Sequence, residues 1–497
     1  MNISGILTLF AQLPAWDALR AALDARQMPP ALLLPRGARA AVLARLYLER
    51  RVPLVLLTGR VDTAVSWQQA LETWLPDTAD LLRLPEPTPL PYDRGPWSER
   101  TRIGRLQVLT RFMAGQHPLI PADDRPPLVI TSARAFLQKT LPKRRFVAAT
   151  RVLRVGSVID LEKLERGWAD IGYEEVSVVE AAGQFSRRGG ILDIFPVSAS
   201  FPARIELFGD EIDTMRFFDP ATQRTLEVAA AGRTDRLIVP PAREALPGVA
   251  AEYALAIPDA LLPEEGSLPS WRDDIAHLRG GDVFPTLEYY LPLLYPQPES
   301  LLDYLPDNAL LVVDDWAELE TAVAEFASHV DQMREEQADL PPGYPGPVFD
   351  WEAMAAQLRW WQPLVLGDDV EAPAPGAERL LLADAFEPGP RYGGQMRPLL
   401  TQLKSALGER ERMIVVSRQA ARLQELWREE VRTAGQSLLA ETAVADGVQE
   451  TLPELPPDGS LTFVNGGLGE GFTLVRREDN RILLDLLTDG EIFGWKR

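Results

Sequence analysis

From Gly183 to Arg224 the chain alternates between polar and apolar residues and is broken by short turn-forming stretches. Ile191-Leu192-Asp193-Ile194-Phe195 has the pattern of a strand, and Pro196 stops it. A turn-prone segment, 196–202, follows. Arg204-Ile205-Glu206-Leu207-Phe208 alternates as a half-buried strand does. Gly209-Asp210-Glu211 turns the chain into a third strand, Ile212 to Phe217. Three strands with connections this short make a compact β-rich meander, and the rest of the chain has to be arranged around it. Arg204, Glu206 and, after a one-step change of face, Phe208 put guanidinium groups and an aromatic ring on one small surface. Two readings are open. Arginine beside an exposed aromatic is what a protein-binding hot spot is made of. Alternatively the arginines solvate the sheet and pair with Glu206, Asp210 and Glu211, as cheap surface ion pairs do.

Charge separates this stretch from its surroundings. The 497 residues, enough for about three domains, carry 51 Lys+Arg against 72 Asp+Glu, a net charge of −21. Between Lys143 and Leu237 there are 14 basic and 15 acidic residues, a net of −1, which leaves −20 for the remainder. A chain this acidic is not one that wraps duplex DNA by itself, because phosphate neutralisation needs Lys and Arg. A locally less acidic module favours a specific contact surface there. There are no cysteines, which removes disulfides, zinc-thiolate sites and thiol nucleophiles. The three histidines, His117, His277 and His329, are too far apart in sequence to suggest a metal cluster. The N-terminus lacks a basic region ahead of its apolar run, so it does not read as a signal peptide. No apolar run reaches membrane-spanning length. The expectation is a cytoplasmic protein with no membrane partner.

Ahead of the module the pattern is α/β. Ala15 to Arg26 reads as a helix ended by Pro29-Pro30, and Ala31 to Leu34 as a buried strand. A turn follows, then a helix from Ala40 to Arg51, a strand from Val52 to Leu57 and a helix from Thr63 to Trp74. Strand–turn–helix–strand opens a nucleotide-binding domain. A phosphate loop needs glycines, a Lys and a Ser or Thr hydroxyl for magnesium. The run here is Arg36-Gly37-Ala38-Arg39-Ala40, with Arg39 at the Lys position and Ala40 at the hydroxyl position. It is either a poor nucleotide site or a piece of fold that packs without binding. The strand Ala309 to Asp315 ends in two carboxylates, Asp314 and Asp315, in the manner of a Walker B strand. That shape predicts little chemistry without a working phosphate loop.

Leu84 to Asp93 is a proline-rich extended loop, Ser98 starts a helix, Leu128 to Ser132 is a strand, and Ala133 to Lys139 is a helix. The inserted module begins with a strand near Phe146 to Leu153, then a helix from Asp160 to Asp170 and a strand from Val176 to Val179. Residues 341–378, rich in proline, glycine and acids, read as a linker. A smaller α/β unit follows at 379–488, with strands at Leu380 to Leu382, Met413 to Ser417, Leu461 to Val464 and Ile482 to Thr488, and helices at Met396 to Leu407 and Arg418 to Thr433. Asn465 to Gly471 is glycine-rich but opens no helix, so it is a tight turn. Residues 489–497 read as the start of a further linker, as if the chain were part of a longer protein.

These residues carry a resemblance. R-G-G-I-L-D-I-F-P, R-I-E-L-F-G-D-E-I and F-D-P-x-T-Q-R in the meander resemble the UvrA-contacting module shared by the bacterial transcription-repair coupling factors and the excision-repair UvrB proteins. L-P-x-P-T-P-L-P-Y-D with S-x-E-R (85–100), L-E-Y-Y-L-P-L-L-Y-P (287–296), L-L-D-Y-L-P-D-N-A-L-L-V-V-D-D (301–315) and L-T-D-G-E-I-F-G (487–494) are similar to the N-terminal half of the coupling factors. The resemblance implies an α/β architecture. A degenerate RecA-like (P-loop NTPase-like) domain, 1–142 with 238–340, is interrupted by an inserted UvrA-interaction module, 143–237, and followed by the small α/β domain. It implies UvrA as partner, contacted through Arg188, Arg204 and Phe208. Stalled RNA polymerase and DNA would be reached only through domains that follow Gly494 in the family. UvrB has a working phosphate loop and an Asp-Glu-Ser-His motif where this chain has Gly37, Arg39, Ala40 and Asp314-Asp315-Trp316-Ala317. The resemblance therefore implies no catalytic residues, no metal, and no cofactor for this chain, with ATP and magnesium confined to the family's motor. The function expected is UvrA recruitment in transcription-coupled nucleotide excision repair. The alternative is an independent ATPase or helicase lobe of UvrB type.

Overall fold

The computed structural model describes residues 1–25, 31–118, 120–122, 124–226, 232–257, 269–336, 340, 343–367, 381–434 and 447–494. The first strands are β1 (Leu54–Thr58), β2 (Leu81–Leu84) and β3 (Leu128–Ser132). The module adds β4 (Arg151–Arg154), β5 (Glu174–Glu175), β6 (Gln184–Arg188), β7 (Ile191–Ile194), β8 (Ala203–Phe208), β9 (Glu211–Phe217) and β10 (Arg236–Val239). The chain returns through β11 (Leu310–Val313) and β12 (Leu364–Val365). It ends with β13 (Phe386–Pro388), β14 (Met413–Ser417), β15 (Leu461–Asn465), β16 (Phe472–Arg476) and β17 (Arg481–Thr488). The architecture is α/β, as the sequence pattern implies.

The first sheet runs β12-β11-β1-β3-β2 and is wholly parallel. Its central strands, Leu-Val-Leu-Leu-Thr and Leu-Val-Ile-Thr-Ser, are mostly apolar and buried along their whole length because both faces are covered. Val55, Leu57, Val129 and Val313 point into one core, which continues without a break into the module through Phe185, Leu192, Ile194, Ile205 and Met215. Leu54, Leu56, Leu128, Ile130 and Val312 point into a second core, shared with the N-terminal helices and with Ile414, Val416, Phe472 and Leu486 of the last sheet. That sheet runs β13-β16-β17-β14-β15, and its outer face packs under helices Met396–Gly408 and Ala420–Ala434.

Several expected elements differ. Ala31 to Leu34 is extended but is not a strand; its link to the sheet is Leu32 N–H donating to the Val365 carbonyl at 2.7 Å. The expected strand at Phe146 is a helix, Lys143–Ala149, and β4 starts only at Arg151. Val176 to Val179 is not a strand. The expected linker holds a helix, Trp351–Trp360, and β12, which pairs with β11. Asp350 caps that helix by accepting from Ala353 N–H at 3.2 Å, and Tyr344 is buried in a stack 4.9 Å from Tyr289. Apolar anchors thus override the proline-rich composition there, and the 368–378 part lies outside the described residues. Leu381–Ala385 is a 3-10 helix rather than a strand. The segment expected to leave the small domain is the helix Asp489–Phe493, with Ile492 fully buried; 495–497 lie outside the described residues.

β17 buries a carboxyl group. Asp485 accepts from Thr473 Oγ1 at 2.9 Å. Burial, reinforced by the neighbouring Glu491 charge and opposed by the Thr473 hydroxyl, pushes it up to about 6 from an ordinary 3.8. A folded pKa above the unfolded one contributes stability that is complete below about pH 4 and is lost as pH rises through 6. The shift corresponds to roughly 3 kcal/mol at most. Asp485→Asn should therefore stabilise the protein at pH 7.5 by about 1–2 kcal/mol and by only about a third of that at pH 4.5. Urea midpoints of the two proteins at both pH values check this.

Candidate docking face and nucleotide position

The module's sheet runs β5-β6-β7-β8-β9. β6 does not show in the sequence pattern, because Gln-Phe-Ser-Arg-Arg has neither β-branched residues nor clean alternation. One face of the sheet joins the first core and the other meets solvent. Cross-strand partners share a face. The register gives one row with Ser186, Asp193, Arg204 and Arg216, and the next with Arg188, Ile191, Glu206 and Thr214. Phe208 follows two residues after Glu206. The register shift in this hairpin puts the extra residue, Asp213, on β9, so β8 itself never changes face. Arg188, Arg204 and Phe208 therefore lie on a single solvent face, and Phe208 is 83% exposed.

The three are not equivalent. Arg204 is held by Asp193 through two hydrogen bonds, Nε to Oδ1 at 2.8 Å and Nη2 to Oδ2 at 2.9 Å. Its guanidinium lies 4.7 Å from the centre of the Phe218 ring. Asp193 is buried, and its hydrogen bonds push the Arg204 pKa above its ordinary value. Arg204 is thus part of the module's structure as well as of its surface. Its partner is Asp193, which alternation hides because it sits across the β7–β8 pair, and not Glu206, Asp210 or Glu211. Glu206 instead faces Arg216 at 3.6 Å and accepts from Thr214 Oγ1 at 2.9 Å. Arg188 is exposed and donates to the Ser177 carbonyl at 2.8 Å.

At the nucleotide position the helix Arg36–Arg50 starts at Arg36, so Gly37, Arg39 and Ala40 lie in its first turns rather than in a loop. Arg39 Nη1 donates to Asp314 Oδ1 at 2.8 Å, and Trp67 Nε1 donates to Asp314 Oδ2 at 2.6 Å. Both oxygens of the carboxylate that would face magnesium are taken by the chain's own donors. Asp315, in the left-handed region at φ 65°, caps the following helix by accepting from Glu318 N–H at 3.1 Å. A Cβ on Gly37 would meet the carbonyl oxygens of Glu470 and Gly471 at 2.7 and 2.8 Å. The glycine-rich turn of the last sheet is therefore packed against the backbone where a phosphate would be cradled. These residues do not fit a magnesium nucleotide.

The module is seated by two consecutive residues that periodicity could not single out. Arg243 Nη1 donates to Glu288 Oε1 and Oε2 at 2.9 and 2.8 Å. Glu244 accepts from Arg105 Nε at 2.5 Å and from the Thr140 hydroxyl. All four ionic side chains are buried. Glu288 belongs to the 287–296 motif, the one signal in the sequence that marked this region.

The module is an α/β unit with one sheet face in the core and the other in solvent, and residues 152–244 match the family described as the UvrB interaction domain. The wider chain is homologous to the transcription-repair-coupling factors. It is 29% identical to that of Bacillus subtilis (strain 168) over 314 residues, 62% of this chain and 25% of the relative. It is 22% identical to that of Staphylococcus haemolyticus over 479 residues, 93% of this chain and 38% of the relative. The Escherichia coli (strain K12) protein is 26% identical over 302 residues, 58% of this chain and 24% of the relative. The chain thus spans about a quarter to two-fifths of the length of these relatives. No helix among the described residues is long and apolar enough to cross a membrane.

Proposed function

We propose that this chain docks UvrA and, within a coupling factor, recruits UvrA with UvrB to damaged DNA where RNA polymerase has stalled, in transcription-coupled nucleotide excision repair. The observation that carries this is the solvent face of β6–β9, which presents Arg188, Arg204 and Phe208 together inside the stretch that matches the UvrB interaction domain. Contacts with polymerase and DNA are assigned to the parts of a coupling factor outside this chain's span. On this reading the first α/β domain is a degenerate RecA-like lobe that acts as scaffold. Its self-paired Asp314 and packed Gly37 support docking without ATP or magnesium, and they disfavour an independent ATPase or helicase lobe.

The test is a titration of purified UvrA with the wild-type chain and with Phe208→Ala and Arg188→Ala. Both side chains are exposed, so neither substitution should disturb the fold. Each should weaken binding about 10- to 30-fold, as truncation of a hot-spot residue does, and magnesium-ATP should change nothing. Unaltered affinity in both variants rejects the proposal. Arg204→Ala is the poorer probe, because it strands the buried Asp193 carboxylate and destabilises the module for a reason unrelated to docking.

A further inference from the structure

Exposed large apolar side chains are concentrated in one part of this molecule. Eleven are found among the described residues, and Val155, Val158, Val178, Ile191, Phe201 and Phe208 all fall within 152–244. Single exposed hydrophobes are ordinary on a protein surface, whereas a contiguous set marks a contact site. The register brings three of them onto one face, Ile191 diagonal to Phe208 and Val158 one strand further on, across Glu211. Segment 156–159 lies along the far edge of β9: Gly156 N–H donates to the Ile212 carbonyl, Ile212 N–H to the Ser157 carbonyl and Ile159 N–H to the Asp210 carbonyl, at 2.7, 2.9 and 2.8 Å. This pairs Val158 with Glu211, whose other cross-strand partner is Phe208. Phe208, Glu211 and Val158 thus form one row across the sheet, all on the solvent face. Ile191 stands opposite Glu206, diagonal to Phe208 and beside Arg188, its partner in the β6–β7 hairpin. Diagonal neighbours on one sheet face are within reach of an aromatic side chain.

We infer that Val158 and Ile191 are contact residues of the same docking face, which is then a band running from Arg188 through Ile191 and Phe208 to Val158. The inference rests on the UvrA reading above and deepens it. Val158 is 76% exposed and Ile191 38% exposed, and neither is needed there by the sheet's own core. The complementary surface on UvrA has an apolar strip for the three hydrophobic side chains. It has an acidic group at one end for Arg188 and a hydrogen-bond donor opposite Glu211. The Val158 end would not emerge from the alternation of β7 and β8, because segment 156–159 joins the face only through a pairing more than fifty residues away in sequence.

The experiment titrates UvrA against the full chain and four variants: Val158→Asp, Ile191→Ser, Phe208→Ala and Leu255→Asp. Leu255 is 70% exposed and lies outside the matched stretch. The expected result is a loss of about fivefold or more for Val158→Asp and Ile191→Ser, with Leu255→Asp unchanged. Thermal unfolding of each variant is measured in parallel. Val158→Asp is decisive should Ile191→Ser lose stability, since its side chain stands clear of the core. A tenfold loss for Phe208→Ala with Val158→Asp and Ile191→Ser within twofold of wild type overturns the extended band and leaves the UvrA reading standing. Unchanged affinity in all four overturns both. A loss for Leu255→Asp equal to that for Val158→Asp also overturns the band, because the effect is then not local to this face.

Discussion

Glu288→Ala should destabilise the protein by about 3–5 kcal/mol, the range found when one partner of a buried ion pair is removed. Arg243 and Glu288 are 4% and 1% exposed. Burial pushes the Glu288 carboxyl up, and the facing Arg243 and Arg102 charges pull it back. Without Glu288, the Arg243 guanidinium is left charged in the interior with its main acceptor gone. It cannot swing out to water either. A Cβ placed on Gly172 would stand 2.9 Å from Arg243 Cγ, so the turn at Gly172, with φ 95°, is closed down on the arginine stem. Glu288→Gln keeps an acceptor and should cost less, about 1–2 kcal/mol. Urea unfolding of the three proteins gives the ordering. An Ala variant within 1 kcal/mol of wild type would show that Arg243 finds water or another acceptor. The pair also fastens the module to the rest of the chain, because Arg243 and the neighbouring Glu244 tie its exit to elements 45 and 139 residues away in sequence.

The solvent-facing strands of the 152–244 module are more legible in the sequence than the elements that support them. Strands β7, β8 and β9 match the alternation to within a residue or so, because period-two patterning is a direct consequence of one wet and one dry face. Helix Glu99–Met113 could be read from Ser98, which accepts from Thr101 N–H at 3.1 Å as an N-cap does. The misread segments are those whose conformation is decided at long range. Lys143–Ala149 is helical although its composition also suits a strand, since Phe146 and Ala149 pack into the first core on a helical spacing. Residues 343–367 look like a linker until Leu364 pairs with Val312 and Tyr344 meets Tyr289. The same limit applied to the site. Alternation could place Arg204 and Phe208 on a surface, but only the β7–β8 register reveals Asp193 as the partner of Arg204. At the nucleotide position, the missing hydroxyl at Ala40 can be read residue by residue, but not the donors that occupy Asp314, which arrive from Arg39 and Trp67 on two separate helices.

Gly37→Ala tests whether the nucleotide position is held shut by the chain itself, and the expected sign is opposite to helix propensity. In an open helix turn, replacing Gly by Ala stabilises by about 1 kcal/mol. Here the new methyl would lie 2.7 Å from Glu470 O, 2.8 Å from Gly471 O and 3.0 Å from the Glu470 carbonyl carbon, all backbone atoms. That loop has little room to retreat. Glu491 Oε2 accepts from Gly471 N–H at 3.0 Å, from Thr488 N–H at 3.0 Å and from the Thr488 hydroxyl at 2.6 Å, closing a capping box around the last helix. A Cβ on Gly471 would lie 2.0 Å from the Leu486 carbonyl oxygen, so the chain cannot give way by exchanging that residue. Relief then requires the last sheet to move off the first helix layer, opening the core they share at Ile414, Phe472 and Leu486. The expected cost is about 3 kcal/mol or more, the size of a severe overpacking defect. Gly167→Ala provides the internal control. That glycine is in the helix Leu161–Asp170 with nothing within 4 Å of its Cβ position, and the substitution should stabilise by about 0.5–1 kcal/mol. Opposite shifts in the two unfolding midpoints are the expected result. Stabilisation by both would mean that the glycine-rich loop yields freely and that the phosphate position is closed by nothing firmer than a mobile contact.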